Sequence, residues 1–170
     1  MLELGKAGSA GYPRGEAPVL RDGAPVALLR ASNWKEEATA VVGDRAWAFT
    51  KRRGELLGRW AAEPEDVARL RASKTSLWRG TWRVDLEGRP VEVRPVSMWK
   101  STHRYFADGG QVAESGSVGG WSPRPTLTAD GSLPLHHQVF LLWMELVLAR
   151  RNASAAAGAA VSVTVIGGIS

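Results

Sequence analysis

Apolar and polar positions alternate over short runs, each closed by a turn-forming pair, and this grammar recurs from about residue 41 to residue 131. Val41-Val42 meets Trp47 and Phe49 across Gly43-Asp44, and the run from Trp47 to Thr50 meets Leu56 to Trp60 across Arg53-Gly54. Trp82 to Leu86 meets Val91 to Val93 across Glu87-Gly88, Arg104 to Phe106 meets Val112 across Asp108-Gly109-Gly110, and Thr126 to Thr128 leads into Asp130-Gly131. Upstream, Pro25 to Arg30 and Ala38 to Val42 read as strands around a polar loop holding Asn33, Lys35, Glu36 and Glu37, while Glu63 to Leu70 fits one helical turn or a strand equally well. Consecutive hairpins at this spacing predict a mainly β, antiparallel meander, closed or nearly closed as a barrel or a sandwich, because a long open sheet would leave unpaired edges.

The period changes once. Between Pro134 and Arg151 the alternation disappears and Leu, Met, Glu and Ala supply helix propensity. Ser132 is placed to cap this helix, Pro134 suits its first turn, and Arg150 and Arg151 complement the negative end of its dipole. Every residue from Val139 to Ala149 except Glu145 is apolar, so the helix is hydrophobic nearly all round and calls for enclosure by other structure. At about 1.5 Å per residue that run spans about 16 Å, roughly half of a hydrocarbon core about 30 Å thick, which argues against a bilayer. The alternative, a single membrane span, would insert Leu133 to Ala149 and hold the following arginines on the cytoplasmic side.

The ends are less patterned. Residues 1–24 are rich in Gly, Pro and Ala and read as a loose entry with edge strands at Leu2 to Leu4 and Ala17 to Arg21. Residues 152–170 form an Ala/Gly-rich tail expected to be disordered over most of its length, with Val161 to Ile166 alternating enough for a final strand. The organised domain is therefore expected at 25–151, with its helix at about 134–151.

Composition narrows the chemistry more than it specifies it. A chain of 170 residues fits one domain able to bury a core without staples. The absence of Cys removes disulfide partners, thiolate nucleophiles and cysteine-rich zinc sites. The first twenty residues lack a basic start followed by an apolar stretch, so no secretory signal is read and a cytoplasmic location, with room for peripheral membrane attachment, is expected. The net charge of +5 permits contact with anionic surfaces, but no dense basic stripe or recognisable motif favours nucleic acid. The preponderance of Arg over Lys, with abundant Ala and Gly, matches codon use in a high-GC bacterial genome.

Candidate chemistry is sparse. His136 and His137 are adjacent, so their side chains should diverge by about 100° on a helix and not share one metal; with no other donor set evident, neither a metal nor a cofactor is expected. Glu145, inside the apolar run, needs a partner, and an inward-pointing Arg or exposure on one helix edge is the simplest solution. Lys51, Arg52 and Arg53 form a hairpin tip with Trp47 and Trp60 on its arms, a combination suited to anionic lipid headgroups or simply to a solvated turn. Trp34, Trp78, Trp99 and Trp121 neighbour polar or turn residues, where an exposed aromatic patch is an option beside ordinary core use. The glycine clusters at 5–11 and 116–120 match neither a phosphate loop nor a dinucleotide fingerprint, and Ser117 lacks a strand-to-helix elbow, so no catalytic residue is assigned.

A meander of short antiparallel strands followed, after Asp130-Gly131-Ser132-Leu133-Pro134-Leu135, by the apolar helix at Val139 to Ala149 resembles the tubby C-terminal-like superfamily, which includes LURP-one-related proteins and phospholipid scramblases. The resemblance covers residues 25–151. It implies a closed barrel of about twelve strands threaded by that helix, and a membrane-surface, phosphoinositide-related or otherwise non-catalytic module. The function expected is thus a binding or scaffolding domain with affinity for anionic lipid or a protein partner. A small ligand carrier or enzyme, with Glu145, His136 or His137 at the mouth of the helix, is the alternative.

Overall fold

The computed structural model describes residues 1–9, 11–76, 80–96 and 101–166, with side chains of the terminal helix described to residue 159. Twelve strands are followed by one helix: β1 (Leu2–Leu4), β2 (Glu16–Arg21), β3 (Ala24–Ala31), β4 (Ala38–Val42), β5 (Arg45–Arg52), β6 (Glu55–Trp60), β7 (Leu70–Lys74), β8 (Trp82–Leu86), β9 (Arg89–Pro95), β10 (His103–Ala107), β11 (Gly110–Val118), β12 (Arg124–Ala129) and α1 (Leu135–Ile166). Each strand pairs antiparallel with its chain neighbours, and β1 pairs with β12 to close the barrel.

Closure corrects the reading of the N-terminus. The two strands expected at an edge are staves: β1 aligns Leu2 with Leu127 of β12 on one side and Leu4 with Val19 of β2 on the other. Leu2–Leu4 could not be recognised as a stave locally because its closing partner, β12, lies more than a hundred residues away. The hairpins read from the sequence form as expected, with Arg53-Gly54, Glu87-Gly88 and Asp108-Gly109 at their turns. In these three turns, and in Asp22-Gly23, both residues have positive φ, the backbone of primed turns whose twist matches that of paired strands. Glu63 to Arg69 is an irregular connection, pinned where Arg69 donates two hydrogen bonds to Glu63 Oε1 at 2.8 and 2.6 Å.

Period-two alternation sends one face of every stave inward, and α1 fills the space. Val139, Phe140, Leu141, Leu142, Trp143 and Met144 are at most 1% exposed, so neighbouring turns of the helix are buried on all sides, as its unbroken apolar surface required. Phe49 of β5 packs at ring centroid distances of 5.4 Å from Phe140 and 5.2 Å from Trp143. Opposite Phe49 stands Gly58 of β6, where a Cβ would lie 3.2 Å from the Phe140 ring and 3.0 Å from Leu70. The wall is stripped to backbone where the helix comes closest.

Two further expectations change. Ser132 turns its hydroxyl to Asp130 Oδ1, 2.5 Å away, and also faces Arg89, which takes it away from the capping role. The stretch Val161–Ile166 lies within α1 and is not a strand, since outside the barrel no stave remains for it to pair with. No helix of the described residues is long and apolar enough to cross a membrane.

Candidate functional site

Antiparallel alternation gives the barrel two ends of different character. The helix enters at the end carrying the β4–β5, β8–β9 and β10–β11 turns, and leaves at the end carrying the β3–β4, β5–β6 and β11–β12 connections.

At the entry end, His136 and His137 in the first turn of α1 meet Glu87 in the β8–β9 turn. Both Nε2 atoms lie 3.0 Å from the same carboxylate oxygen, Glu87 Oε2. The expected divergence of these side chains is therefore corrected: the imidazoles sit edge to face at a centroid distance of 4.3 Å, because long side chains leaving a first turn can bend toward an acceptor on another element. Trp47 stacks flat on His136 at 5.0 Å and an interplanar angle of 13°. Arg69 approaches the other Glu87 oxygen at 3.6 Å and lies 3.5 Å over the Trp60 ring. Burial would raise the Glu87 carboxyl, but the hydrogen bonds from His136 and His137 outweigh it and hold the group below its usual range. Burial lowers the His137 imidazole, against the opposing pull of Glu87. His137 Nδ1 is buried without a hydrogen-bond partner.

In the barrel interior, Glu145 is 3% exposed and is neither paired with an Arg nor displayed on a helix edge. It accepts a short hydrogen bond from the Tyr105 hydroxyl and faces His103 Nδ1 at 3.0 and 3.1 Å. Both partners come from inward positions of β10, two residues apart, and the His103 backbone N–H is itself held by Ser115 Oγ at 2.7 Å. Burial first, and the adjacent Glu145 charge second, push the Tyr105 phenol well above its usual range, so it remains a donor. Glu145 also lines the inner wall of a groove of about 670 Å³ that opens at the exit end beside Ser117, Arg124 and Asn152.

At the exit end, the helix is clamped by the β3–β4 loop. Arg150 donates to the Ser32 carbonyl at 2.7 Å, and Arg151 forms a two-pronged pair with Glu36 at 2.5 and 2.7 Å. Lys51 reaches the same Glu36 carboxylate at 3.1 Å, so of the three tip cations Arg52 and Arg53 are the ones extended into solvent. Trp47 and Trp60, expected to flank this tip, belong to the opposite end of their strands: six residues at about 3.3 Å each separate Trp47 from Arg53. Trp34 and Trp121 are fully exposed on the β3–β4 and β11–β12 connections. Trp78 and Trp99 lie outside the described residues.

The candidates thus divide among three places. Glu145 and His136 stand nine residues apart on α1, about 13 Å, and do not form one site. Glu87, His103 and Tyr105 were not singled out by the sequence; the inward period of β10 is the signal that places His103 and Tyr105 beside the helix, whereas nothing local aims Glu87 at a histidine pair. Against family models, characterised proteins and solved structures, the chain finds no match, and the site is read from its own geometry.

Proposed function

We propose that this domain is a non-catalytic binding module of the tubby-like type that docks the exit end of its barrel on anionic membrane. The observation that carries this reading is the exposure of Trp34 and Trp121 on two connections of the same end. Two indoles held in water contribute little to the stability of a barrel, whereas the interface of a bilayer receives such amphipathic rings. Exposed cations share that end: Lys6 and Arg14 in the β1–β2 connection, Lys35 beside Trp34, and Arg52 and Arg53 at the hairpin tip. Near an anionic surface each contributes about 1 kcal/mol, so a handful suffices for reversible attachment. The closed barrel of twelve strands around a C-terminal helix supports the architectural part of the reading. The carrier alternative, with a ligand between wall and helix, is confined to the exit-end groove that Glu145 lines, because the rest of the interior is occupied by Leu141, Leu142, Met144 and Val147.

Co-sedimentation with phosphatidylcholine vesicles, with and without phosphatidylserine, tests the proposal. Binding should require the anionic lipid, fall with added salt, and weaken by about tenfold or more, roughly 1.4 kcal/mol, in the double variant Trp34→Ala/Trp121→Ala. Equal binding to neutral vesicles, no binding, or an unaffected double variant would overturn it.

A further inference from the structure

We infer that Glu87, His136 and His137 form a binding site for a divalent transition ion of the zinc class, at the end of the barrel opposite the proposed membrane face. The three donor atoms lie within 4.8 Å of one another, and both imidazole nitrogens are already 3.0 Å from one carboxylate oxygen. Ligands held about 2.0–2.1 Å from a tetrahedral zinc sit about 3.3 Å apart, so the two nitrogen–oxygen separations need open by only a few tenths of an ångström, while the two nitrogens, within 4.8 Å of each other, have at most about 1.5 Å to close. Without an ion, two imidazoles must direct their N–H groups at the same oxygen. A dication at that point would take the Nε2 lone pair of each ring, each Nε2 proton passing to Nδ1 of the same ring or to solvent.

The surroundings hold the three groups in place. Trp47 fixes the plane of His136 by stacking. Arg69, itself anchored on Glu63 and Trp60, engages the second oxygen of Glu87 and leaves Oε2 for a single bond to an ion, the kind of outer contact that orients a ligating carboxylate. His137 is more than nine-tenths buried and reaches the cluster through Nε2. Glu87 also occupies a backbone conformation with φ of 55°. Asp22, Arg53 and Asp108 share this conformation at the equivalent turns, so the primed turn fixes the point from which the Glu87 carboxylate reaches the helix.

Two imidazoles and one carboxylate suit zinc and its first-row neighbours, while magnesium and calcium prefer oxygen donors. His136 and Glu87 are partly exposed, so the fourth position faces solvent and is open to water. An occupied site would staple the first turn of α1 to the β8–β9 hairpin.

The test uses the full, untagged chain, stripped with chelator and titrated with zinc chloride alone by calorimetry, and with cobalt chloride by visible absorption. One ion per chain should bind with micromolar or tighter affinity, raise the melting temperature, and give the intense visible bands of four-coordinate cobalt. His136→Ala and Glu87→Gln, both at the surface of the cluster, should each weaken zinc by about 100-fold or more, beyond what outer-sphere losses alone cause. No uptake at about 100 μM zinc, six-coordinate cobalt spectra, or unchanged affinity in a folded Glu87→Gln variant would reduce the cluster to a hydrogen-bonded cap on the helix. Vesicle binding reports on the other end of the barrel, so either proposal can fail without the other.

Discussion

A carboxylate at position 145 is taken out of water by the helix that carries it, and what surrounds it must replace the lost hydration. A buried acidic group left unsatisfied costs far more than a hydrogen bond contributes, which explains why Glu145 is met by Tyr105 and His103 together. Tyr and His on a strand provide donors without a second long charged side chain, for which the packed interior leaves little volume. Tyr105→Phe removes one donor and little else, and should destabilise the fold by about 1.5–3 kcal/mol, the range for hydrogen bonds to charged groups. The measurement is the urea midpoint with its slope. An unchanged midpoint would mean that water from the exit-end groove already reaches the carboxylate.

At the scale of elements, the helix is gripped at both ends by loops. The exit clamp is electrostatic: the Arg151 hydrogen bonds, and after them those from Lys51, overcome burial and hold Glu36 down to about 2. A carboxyl whose pKa is lower in the folded state than in the unfolded chain stabilises the fold above the unfolded value. That contribution is lost as pH falls from about 5 toward 2. Because the pair is partly exposed, solvent screening limits it to the order of 1 kcal/mol. Glu36→Gln should therefore lower stability at neutral pH, and the difference from the parent should shrink to a small remainder as pH falls from about 5 to about 2 in parallel acid titrations followed by circular dichroism. An undiminished difference at pH 2 would assign the loss to packing.

For the molecule as a whole, the closed barrel separates two chemistries. From Leu135 to Arg150 the helix rises about 22 Å, so the Glu87, His136 and His137 cluster and the face bearing Trp34 and Trp121 are a barrel length apart. Coupling between the ends requires a bistable element, and the close packing of α1 against the closed barrel favours a single arrangement. Zinc that raises the melting temperature should leave partition onto phosphatidylserine vesicles unchanged. A shift in either direction would show that the helix transmits between the ends.

The sequence dictates the mainly β class, the hairpins and the enclosed helix, because each rests on local period and turn chemistry: Arg53-Gly54 and Glu87-Gly88 mark their turns, and an apolar run with Glu145 alone inside it has to be surrounded. It does not dictate that Leu2–Leu4 closes the barrel against β12, that Glu145 meets residues of β10, or that two adjacent histidines converge on Glu87. Those are contacts between segments some 40 to 125 residues apart. No local pattern encodes them; only closure of the barrel around its helix brings the donors and acceptors within reach.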